Sequence, residues 1–144
     1  MRLTVYTDYG LRLLMYVALK KDGLATIQEV ADAYGISKNH LMKVAYDLGR
    51  HGFLETVRGR GGGLRLAKAA EKIGLGDAIR RMEDDFTMVE CFAAETNGCE
   101  IIGPCRLKAV LREALNAYLA VLDKYTLADL TGRNPALSKL LLAG

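Results

Sequence analysis

The sequence predicts a mainly α-helical protein with a small β-hairpin wing, arranged as a winged helix-turn-helix followed by a long dimerisation helix. Three observations predict this fold. Three segments within the first 50 residues space their apolar side chains three or four apart, as amphipathic helices do. Two short strand-like runs then flank a glycine-rich turn, which is typical of a hairpin. A long apolar stripe with helical spacing follows in the last third of the chain.

The first two helices have recognisable ends. Residues 7–20 carry apolar side chains at helical spacing, and the Asp-Gly pair that follows supplies a stop. Thr26 and Glu29 form a capping-box pattern, which predicts a second helix over residues 26–34. Gly35 then breaks that helix.

A third helix and a hairpin complete the N-terminal half. Ser37 can cap a helix over residues 38–50. The stripe that this helix is expected to bury consists of Leu41, Val44, Ala45 and Leu48. Residues 53–57 and 64–67 are strand-like runs, and the RGRGGG turn between them predicts a β-hairpin. Two short helices, a tight turn, a third helix and a hairpin follow the order of a winged helix-turn-helix.

The C-terminal half is dominated by one long helix. A short helix is expected first, over residues 75–83. Pro104 suits the first turn of a helix, so the long helix is expected to run from there to about Lys124, a length of about 30 Å. Its stripe consists of Leu107, Val110, Leu111, Leu115, Tyr118, Val121, Leu122 and Tyr125. Thr126 and Asp129 can cap a final short helix. Because a domain this small offers little surface to cover the stripe, we expect a two-fold homodimer.

We divide the chain into three regions of one integrated domain. These are the winged helix-turn-helix over residues 1–72, a short helix and cysteine loop over residues 73–103, and the dimerisation and C-terminal helices over residues 104–144. The first region carries 12 Lys and Arg against 7 Asp and Glu, whereas residues 73–144 carry 8 against 10. A basic N-terminal half is suited to a polyanion, and the acidic remainder is not.

The third helix and the hairpin turn together predict contacts with double-stranded DNA. Recognition helices present their N-terminal residues to base edges in the major groove, where Lys can read guanine and Asn adenine. A thin, glycine-rich arginine tip suits an A·T-rich minor groove. Arg50 and Lys68 are expected to add phosphate contacts. The predicted DNA-contacting residues are Ser37, Lys38, Asn39, His40, Lys43, Arg50, Arg58, Arg60 and Arg65.

The cysteines are confined to one loop. The chain has no run of 18 apolar residues and no secretory signal pattern, so we expect a cytoplasmic protein without a membrane partner. In a reducing cytosol, clustered cysteines are more often metal ligands or redox sensors than disulfides. Cys91, Cys99 and Cys105 lack the paired spacing of most structural zinc sites. Their wider spacing can surround an iron–sulfur cluster held by thiolates.

Three thiolates leave such a cluster one ligand short of the usual four. Residue types alone leave several candidates open: Asp8, His40, His51, Glu90, Glu95 and Glu100. A histidine on the third helix is more typical of a DNA contact or a solvated residue. An aspartate at a helix start usually caps the helix or lies favourably in its dipole.

The chain resembles the iron–sulfur winged-helix transcription regulators of the IscR/NsrR family. The resemblance rests on MRLTVYTDYGLRLLMYVA at the N-terminus, on ISKNHLMKVAYDLGRHGFLETVRGRGGGLRLAK in the middle, and on the three-cysteine loop. It covers nearly the whole chain. It implies a dimeric repressor, not an enzyme, whose cluster lies between the dimerisation helix and the DNA-reading head.

The NsrR branch, whose members sense nitric oxide, resembles the chain most. In the IscR branch a histidine shortly after the third cysteine completes the ligand set, whereas this sequence has Arg106, Leu107 and Lys108 there. The NsrR branch implies an acidic ligand near the N-terminus, and Asp8 stands at the matching place. The resemblance further implies that Asp8 comes from the partner subunit. It favours a [4Fe–4S] over a [2Fe–2S] cluster, whose nitrosylation would release operator DNA.

Two other interpretations of the same residues stay open. A metal-free thiol switch would keep DNA binding and lose it reversibly on oxidation. An iron–sulfur regulator would also fit another signal, such as superoxide or iron supply. A cysteine-based enzyme is disfavoured because no Cys–His catalytic signature is visible, and a zinc module is disfavoured by the cysteine spacing.

Overall fold

The computed structural model describes residues 1–143 and confirms a mainly helical chain with one two-stranded hairpin. Its elements, in chain order, are α1 (Val5–Leu19), α2 (Ile27–Tyr34), α3 (Lys38–Arg50), β1 (Leu54–Val57), β2 (Gly63–Leu66), α4 (Leu75–Met82), α5 (Leu107–Leu122), α6 (Leu127–Thr131) and α7 (Pro135–Leu142). Single 3₁₀ turns lie at Ala70–Lys72 and Glu90–Phe92. Within residues 1–143, none of the helices combines the length and apolar character that a bilayer crossing requires.

Threonine caps open α1 and α2. Oγ1 of Thr4 accepts a hydrogen bond from the backbone N–H of Thr7 at 3.2 Å, so α1 starts two residues before the predicted start. Thr26 and Glu29 form the predicted capping box: Thr26 N donates to Glu29 Oε2 at 2.7 Å, and Glu29 N donates to Thr26 Oγ1 at 3.1 Å. Gly35 ends α2 with φ 65°, a conformation that glycine adopts without strain.

α3 packs into the core as predicted. Its four predicted apolar residues are all buried, and they belong to the same core cluster as Leu13 and Leu14 of α1 and Phe53. Ser37 takes the predicted N-cap position, but its side chain makes no capping hydrogen bond. The amides of the first turn of α3 therefore lack a side-chain cap and stay available to another acceptor.

The hairpin wing is also confirmed. β1 and β2 pair antiparallel from Leu54 opposite Leu66 to Val57 opposite Gly63. Ala25 joins the hairpin through two backbone hydrogen bonds with Leu64, of 3.0 and 2.7 Å. A Cβ on Gly63 would lie 2.7 Å from the carbonyl oxygen of Ala25, so a side chain at this position would push the wing away from the helices.

The start of α4 and the residues just after α5 lie next to each other. Leu75 N, at the start of α4, donates to the carbonyl oxygen of Tyr125 at 3.0 Å. Arg80 binds Asp123 through two hydrogen bonds, of 2.5 and 2.8 Å. A side chain on Gly76 would overlap the Asp123 carboxylate, so the glycine permits this contact. The chain between residues 83 and 122 therefore leaves the core and returns at nearly the same place.

α5 begins at Leu107, so the prediction that Pro104 opens the long helix is wrong. Pro104 lies in a turn instead. Cys105 N donates to the carbonyl oxygen of Ile101 at 3.0 Å and closes that turn. The fixed φ of proline suits a turn as well as a first helical turn, and here the closed turn delays the helix until after Arg106.

The C-terminal region contains two helices rather than one short helix. α6 opens at the predicted cap, where Thr126 N donates to Asp129 Oδ2 at 2.7 Å. Oδ1 of Asn134 then accepts a backbone hydrogen bond of 3.1 Å in the first turn of α7, and Pro135 occupies its first position. Gly144, the last residue of the predicted C-terminal region, lies outside the described residues.

Candidate nucleic-acid interface and cysteine loop

α3 presents a mainly polar face to solvent, opposite its buried stripe. With 3.6 residues per turn, Asn39, Lys43, Tyr46 and Arg50 share the side that points away from the core. We call these four residues the reader face. All four are exposed. The face offers two cations, an amide and a phenol, which are groups that bind phosphates and base edges of nucleic acid.

The other predicted residues of α3 lie at its N-terminus. Ser37, Lys38 and His40 are exposed there. The ring of His40 lies beside that of Tyr9 from α1, with 6.2 Å between centroids. Open backbone amides at a helix start attract anions, so this end of α3 is suited to approach a nucleic acid.

Two exposed residues of α3 were missed by the sequence prediction. Met42 and Tyr46 are 53% and 69% exposed. The guanidinium carbon of Arg50 lies 5.9 Å from the centroid of the Tyr46 ring, within the range of a cation–π contact. The available signal was spacing, because Tyr46 follows Asn39 by two helical turns and therefore shares its face.

A hydrogen bond ties the middle of α3 to the first turns of α1. The hydroxyl of Tyr6 donates to the Asp47 carboxylate and lies 3.2 Å from the carbonyl oxygen of Lys43. Burial, and then the Asp47 carboxylate, raises the pKa of Tyr6, so the hydroxyl keeps its proton and remains a donor. On the other side of Asp47, Nη1 of Arg50 lies 3.7 Å from Oδ1. The position of α3 thus depends on α1.

The wing exposes two arginines at its tip. Arg58 and Arg60 are exposed in the turn between β1 and β2. Arg65 lies on β2, where its Nε donates to Glu55 Oε2 on the opposite strand at 2.8 Å. Nζ of Lys68 lies 5.0 Å from the centroid of a buried ring, Phe53. Arg58 and Arg60 are therefore better placed for an outside partner than Arg65 and Lys68.

The three cysteines lie in the irregular segment between α4 and α5. All three are half-buried, free thiols. Oε1 of Glu90 accepts a hydrogen bond from the backbone N–H of Gly98 at 2.7 Å, which spans the loop. The guanidinium of Arg112, on α5, lies 4.1 Å from the centroid of the Phe92 ring. The cysteine loop is thus held by its own side chains and by α5.

Asp8 is partly exposed in the first turn of α1. Its Oδ2 lies 2.9 Å from Nη2 of Arg12, one helical turn later. Within residues 1–143, no three His, Cys, Asp or Glu side chains converge closely enough to hold a metal ion. The single chain therefore does not bring the three cysteines and Asp8 together as an assembled site.

The donor chemistry of these residues nevertheless fits an iron–sulfur cluster. Three thiols on one loop match the ligands that such clusters use, and their partial burial limits contact with water. The neighbouring apolar residues Ile101 and Ile102 are 61% and 37% exposed, so the loop also carries an uncovered apolar surface. A fourth ligand from a second chain would complete the set.

The long helix α5 leaves all but one residue of its apolar stripe exposed or half-buried. Leu115 is its one buried residue. Leu107, Val110 and Val121 are 60%, 58% and 51% exposed. A contiguous apolar surface of this kind is typical of a protein–protein contact.

An exposed recognition helix packed beside a hairpin wing defines the chain as a winged helix-turn-helix regulator. The model of the Rrf2 family, described as an iron-dependent transcriptional regulator, matches residues 3–133. The chain belongs to the Rrf2 family, and it is a transcriptional regulator rather than an enzyme.

Individual relatives agree with this assignment. The HTH-type transcriptional regulator NsrR of Bacillus subtilis (strain 168) is 56% identical over 142 residues, covering 98% of this chain and 97% of the relative. A transcriptional regulator from Listeria innocua has a solved structure with TM-score 0.77 and 28% identity, covering 92% of this chain and 88% of that one. The solved structure of CymR, the global cysteine regulator of B. subtilis, has TM-score 0.70 and 27% identity. The match covers 91% of this chain and 96% of that one. The predicted family resemblance and fold class are confirmed.

Proposed function

We propose that this chain is a homodimeric transcriptional repressor whose iron–sulfur cluster senses nitric oxide and thereby controls operator binding. The observation that carries the proposal is the concentration of three free, half-buried thiols on one loop directly before α5. The same chain presents a basic reader face on α3. A sensor segment and a DNA-binding segment therefore lie within one small domain.

The reader face and the wing form the DNA-binding half of the proposal. Asn39 and Lys43 are suited to base edges in the major groove, together with the first turn of α3. Arg58 and Arg60 are suited to the adjacent minor groove, where narrowing raises the negative potential. Arg65, paired with Glu55, contributes through the shape of the wing or after releasing that partner.

The homodimer follows from the exposed stripe of α5. Packing this stripe against a second copy removes its apolar side chains from water, which favours association. A two-fold dimer also presents two α3 helices to two half-sites, about 34–36 Å apart or a multiple of that distance. DNA affinity then depends on the separation of the two helices.

The ligands of the proposed cluster are Cys91, Cys99 and Cys105 with Asp8 of the partner subunit, and a [4Fe–4S] cluster is favoured. The bound cluster supplies iron that reacts with nitric oxide. The Asp8 carboxylate is a harder and weaker iron ligand than a thiolate, so it provides the labile corner. Asp8 lies between Tyr6 and Tyr9, both of which contact α3. Release of Asp8 therefore frees the part of α1 that positions the recognition helix.

An anaerobic visible absorption spectrum, followed by titration with nitric oxide, tests this proposal. We expect a brown protein whose visible band bleaches in proportion to the nitric oxide added, with a parallel loss of operator affinity. A protein that stays colourless after anaerobic reconstitution with iron and sulfide would exclude the cluster. Equal operator affinity before and after nitric oxide would exclude the release mechanism.

A metal-free thiol switch is the second candidate function. It is favoured by the free state of all three cysteines, which leaves each thiol available for oxidation. It predicts that oxidants abolish operator binding and that added thiol restores it. The reconstitution experiment separates the two candidates, because only the first gives a coloured protein.

A further inference from the structure

The two ends of α3 are too far apart to meet the same part of a DNA duplex. A rise of 1.5 Å per residue places Tyr46 about 10 Å and Arg50 about 16 Å beyond Asn39 along the helix axis. Recognition helices contact base edges mainly with their N-terminal residues. When Asn39 lies at base edges, Tyr46 and Arg50 are therefore beyond those contacts, where the protein meets the backbone phosphates that flank the groove.

Tyr46 has the exposure and the neighbours that a phosphate contact requires. Its side chain is 69% exposed, and Lys43 and Arg81 line the same groove on the protein surface. Tyrosine hydroxyls are among the groups that donate to DNA phosphates. Arg50 lies against the Tyr46 ring at 5.9 Å, so the phenol and the guanidinium are presented together.

The nearby carboxylate of Asp47 leaves the Arg50 guanidinium available to bind another anion. Asp47 accepts the hydroxyl hydrogen bond of Tyr6, which draws the carboxylate towards α1. Its contact with Arg50 is long, at 3.7 Å, and the Arg50 side chain stays 66% exposed. A guanidinium has five N–H donors, so several remain for an outside acceptor.

We propose that Tyr46 and Arg50 together bind one backbone phosphate of duplex DNA in each half-site. Tyr46 acts as a neutral hydroxyl donor and Arg50 as the cation, and the pair fixes the register of α3 in the major groove. This inference rests on the proposed DNA-binding function. It adds Tyr46, which is absent from the predicted set of DNA contacts.

The first test compares Tyr46→Phe and Arg50→Gln in the full-length protein. The probe is a duplex that the wild-type protein enriches from a randomised DNA pool, and all proteins carry the same iron load. Loss of one hydrogen bond to a charged group should weaken binding about 10-fold in Tyr46→Phe, equally for all sequences and with an unchanged salt dependence. Arg50→Gln should lower the slope of log affinity against log salt by about one. Lys139→Gln on α7 is the charge-matched control and should leave that slope unchanged.

The second test replaces single phosphates of the probe by neutral methylphosphonates. Wild type should lose affinity at one phosphate in each half-site. Tyr46→Phe should show a smaller loss at that phosphate, because only the Arg50 contact remains to be weakened there. The same loss at every phosphate in both proteins would overturn the proposal. So would wild-type affinity in Tyr46→Phe, or an affinity change accompanied by an altered molecular mass, which would make Tyr46 a protein contact.

The two tests also keep this inference apart from the function on which it rests. If the wild-type protein enriches no duplex, the proposed DNA-binding function is wrong. If the wild-type protein binds its duplex and Tyr46→Phe binds it equally well, only the proposed phosphate contact is wrong. Because Tyr46 is exposed, thermal unfolding of the variant should match that of the wild type.

Discussion

Asp8 contributes little to the stability of the single chain, whereas we propose it as a ligand of the cluster. Its carboxylate pairs with Arg12, and the two side chains are 46% and 44% exposed. An exposed ion pair one helical turn apart contributes about 0.3–0.5 kcal/mol to the free energy of unfolding. Effects of Asp8 on an iron–sulfur cluster can therefore be separated from effects on folding.

Asp8→Ala should leave the thermal unfolding of the cluster-free protein nearly unchanged. The same variant should retain less iron after anaerobic reconstitution, because it lacks the oxygen ligand. Iron content per chain and visible absorbance measure this loss. Asp32→Ala, at another exposed aspartate on α2, should retain iron as the wild type does. Full iron content in Asp8→Ala would show that another residue completes the ligand set.

Tyr6→Phe should loosen the contact between α1 and α3. The variant keeps the ring but loses the hydroxyl that donates to Asp47, which should lower the free energy of unfolding by about 1 kcal/mol. Denaturant unfolding measures the change. Asp47→Asn should give a comparable loss, and the double variant should lose less than the two single losses together if the residues act as a pair. Additive losses would show that they do not.

At the scale of elements, α4 and the end of α5 are joined by an ion pair that titrates in acid. The Arg80 guanidinium holds the pKa of Asp123 below its ordinary value of 3.8. Because the pKa is lower in the folded state, the pair stabilises the fold above the unfolded pKa. That stabilisation is lost as the pH falls through the folded value.

Asp123→Asn should therefore lower the unfolding temperature near neutral pH and make little difference well below pH 3.8. Thermal unfolding at the two pH values, for wild type and variant, measures this. Asp77→Asn is the matched control, since the pair of Asp77 with Arg81 lies within α4 and joins no other element. A difference between wild type and Asp123→Asn that persists unchanged in acid would exclude the assigned role of the ion pair.

The elements with local signals could be predicted from the sequence. The capping box at Thr26 and the break at Gly35 define α2 without help from the rest of the chain. Pro104 was misplaced because proline suits both a turn and a first helical turn, and the deciding bond, from Cys105 to Ile101, is invisible in the pattern. The division between α6 and α7 was also missed. The cap of α7 at Asn134 follows the end of α6 by only three residues, so the two short helices were predicted as one.

Part of the candidate site could likewise be predicted from the sequence, and part could not. The exposed start of α3 followed from helical periodicity, whereas Tyr46 was not among the predicted contacts although the same periodicity places it on the face of Asn39. Arg65 was predicted as a DNA contact just after the hairpin turn, and only the strand register shows that it faces Glu55. The proposed joining of Asp8 to the cysteines would depend on a second chain, so no local pattern of one chain defines its geometry.

At the scale of the whole molecule, α5 defines the surface on which the proposed dimer depends. Val110→Glu should give a protein with the mass of one chain, because it places a charge in the exposed part of the apolar stripe. Sedimentation equilibrium measures the mass. Asn116→Glu, on the opposite side of α5, should remain dimeric. A dimer of Val110→Glu would show that a different surface joins the subunits.

The return of the chain at Leu75 and Tyr125 makes the cysteine-containing region a loop that leaves the core and rejoins it at one place. The loop begins after Met82 and ends at Asp123, so its two ends are held together by α4 whatever lies between them. Cysteine spacing, loop length and the first half of α5 can therefore diverge without moving the recognition helix or the wing. Such an architecture is modular, because the segment that carries the cysteines can change in sequence while the winged helix-turn-helix is retained.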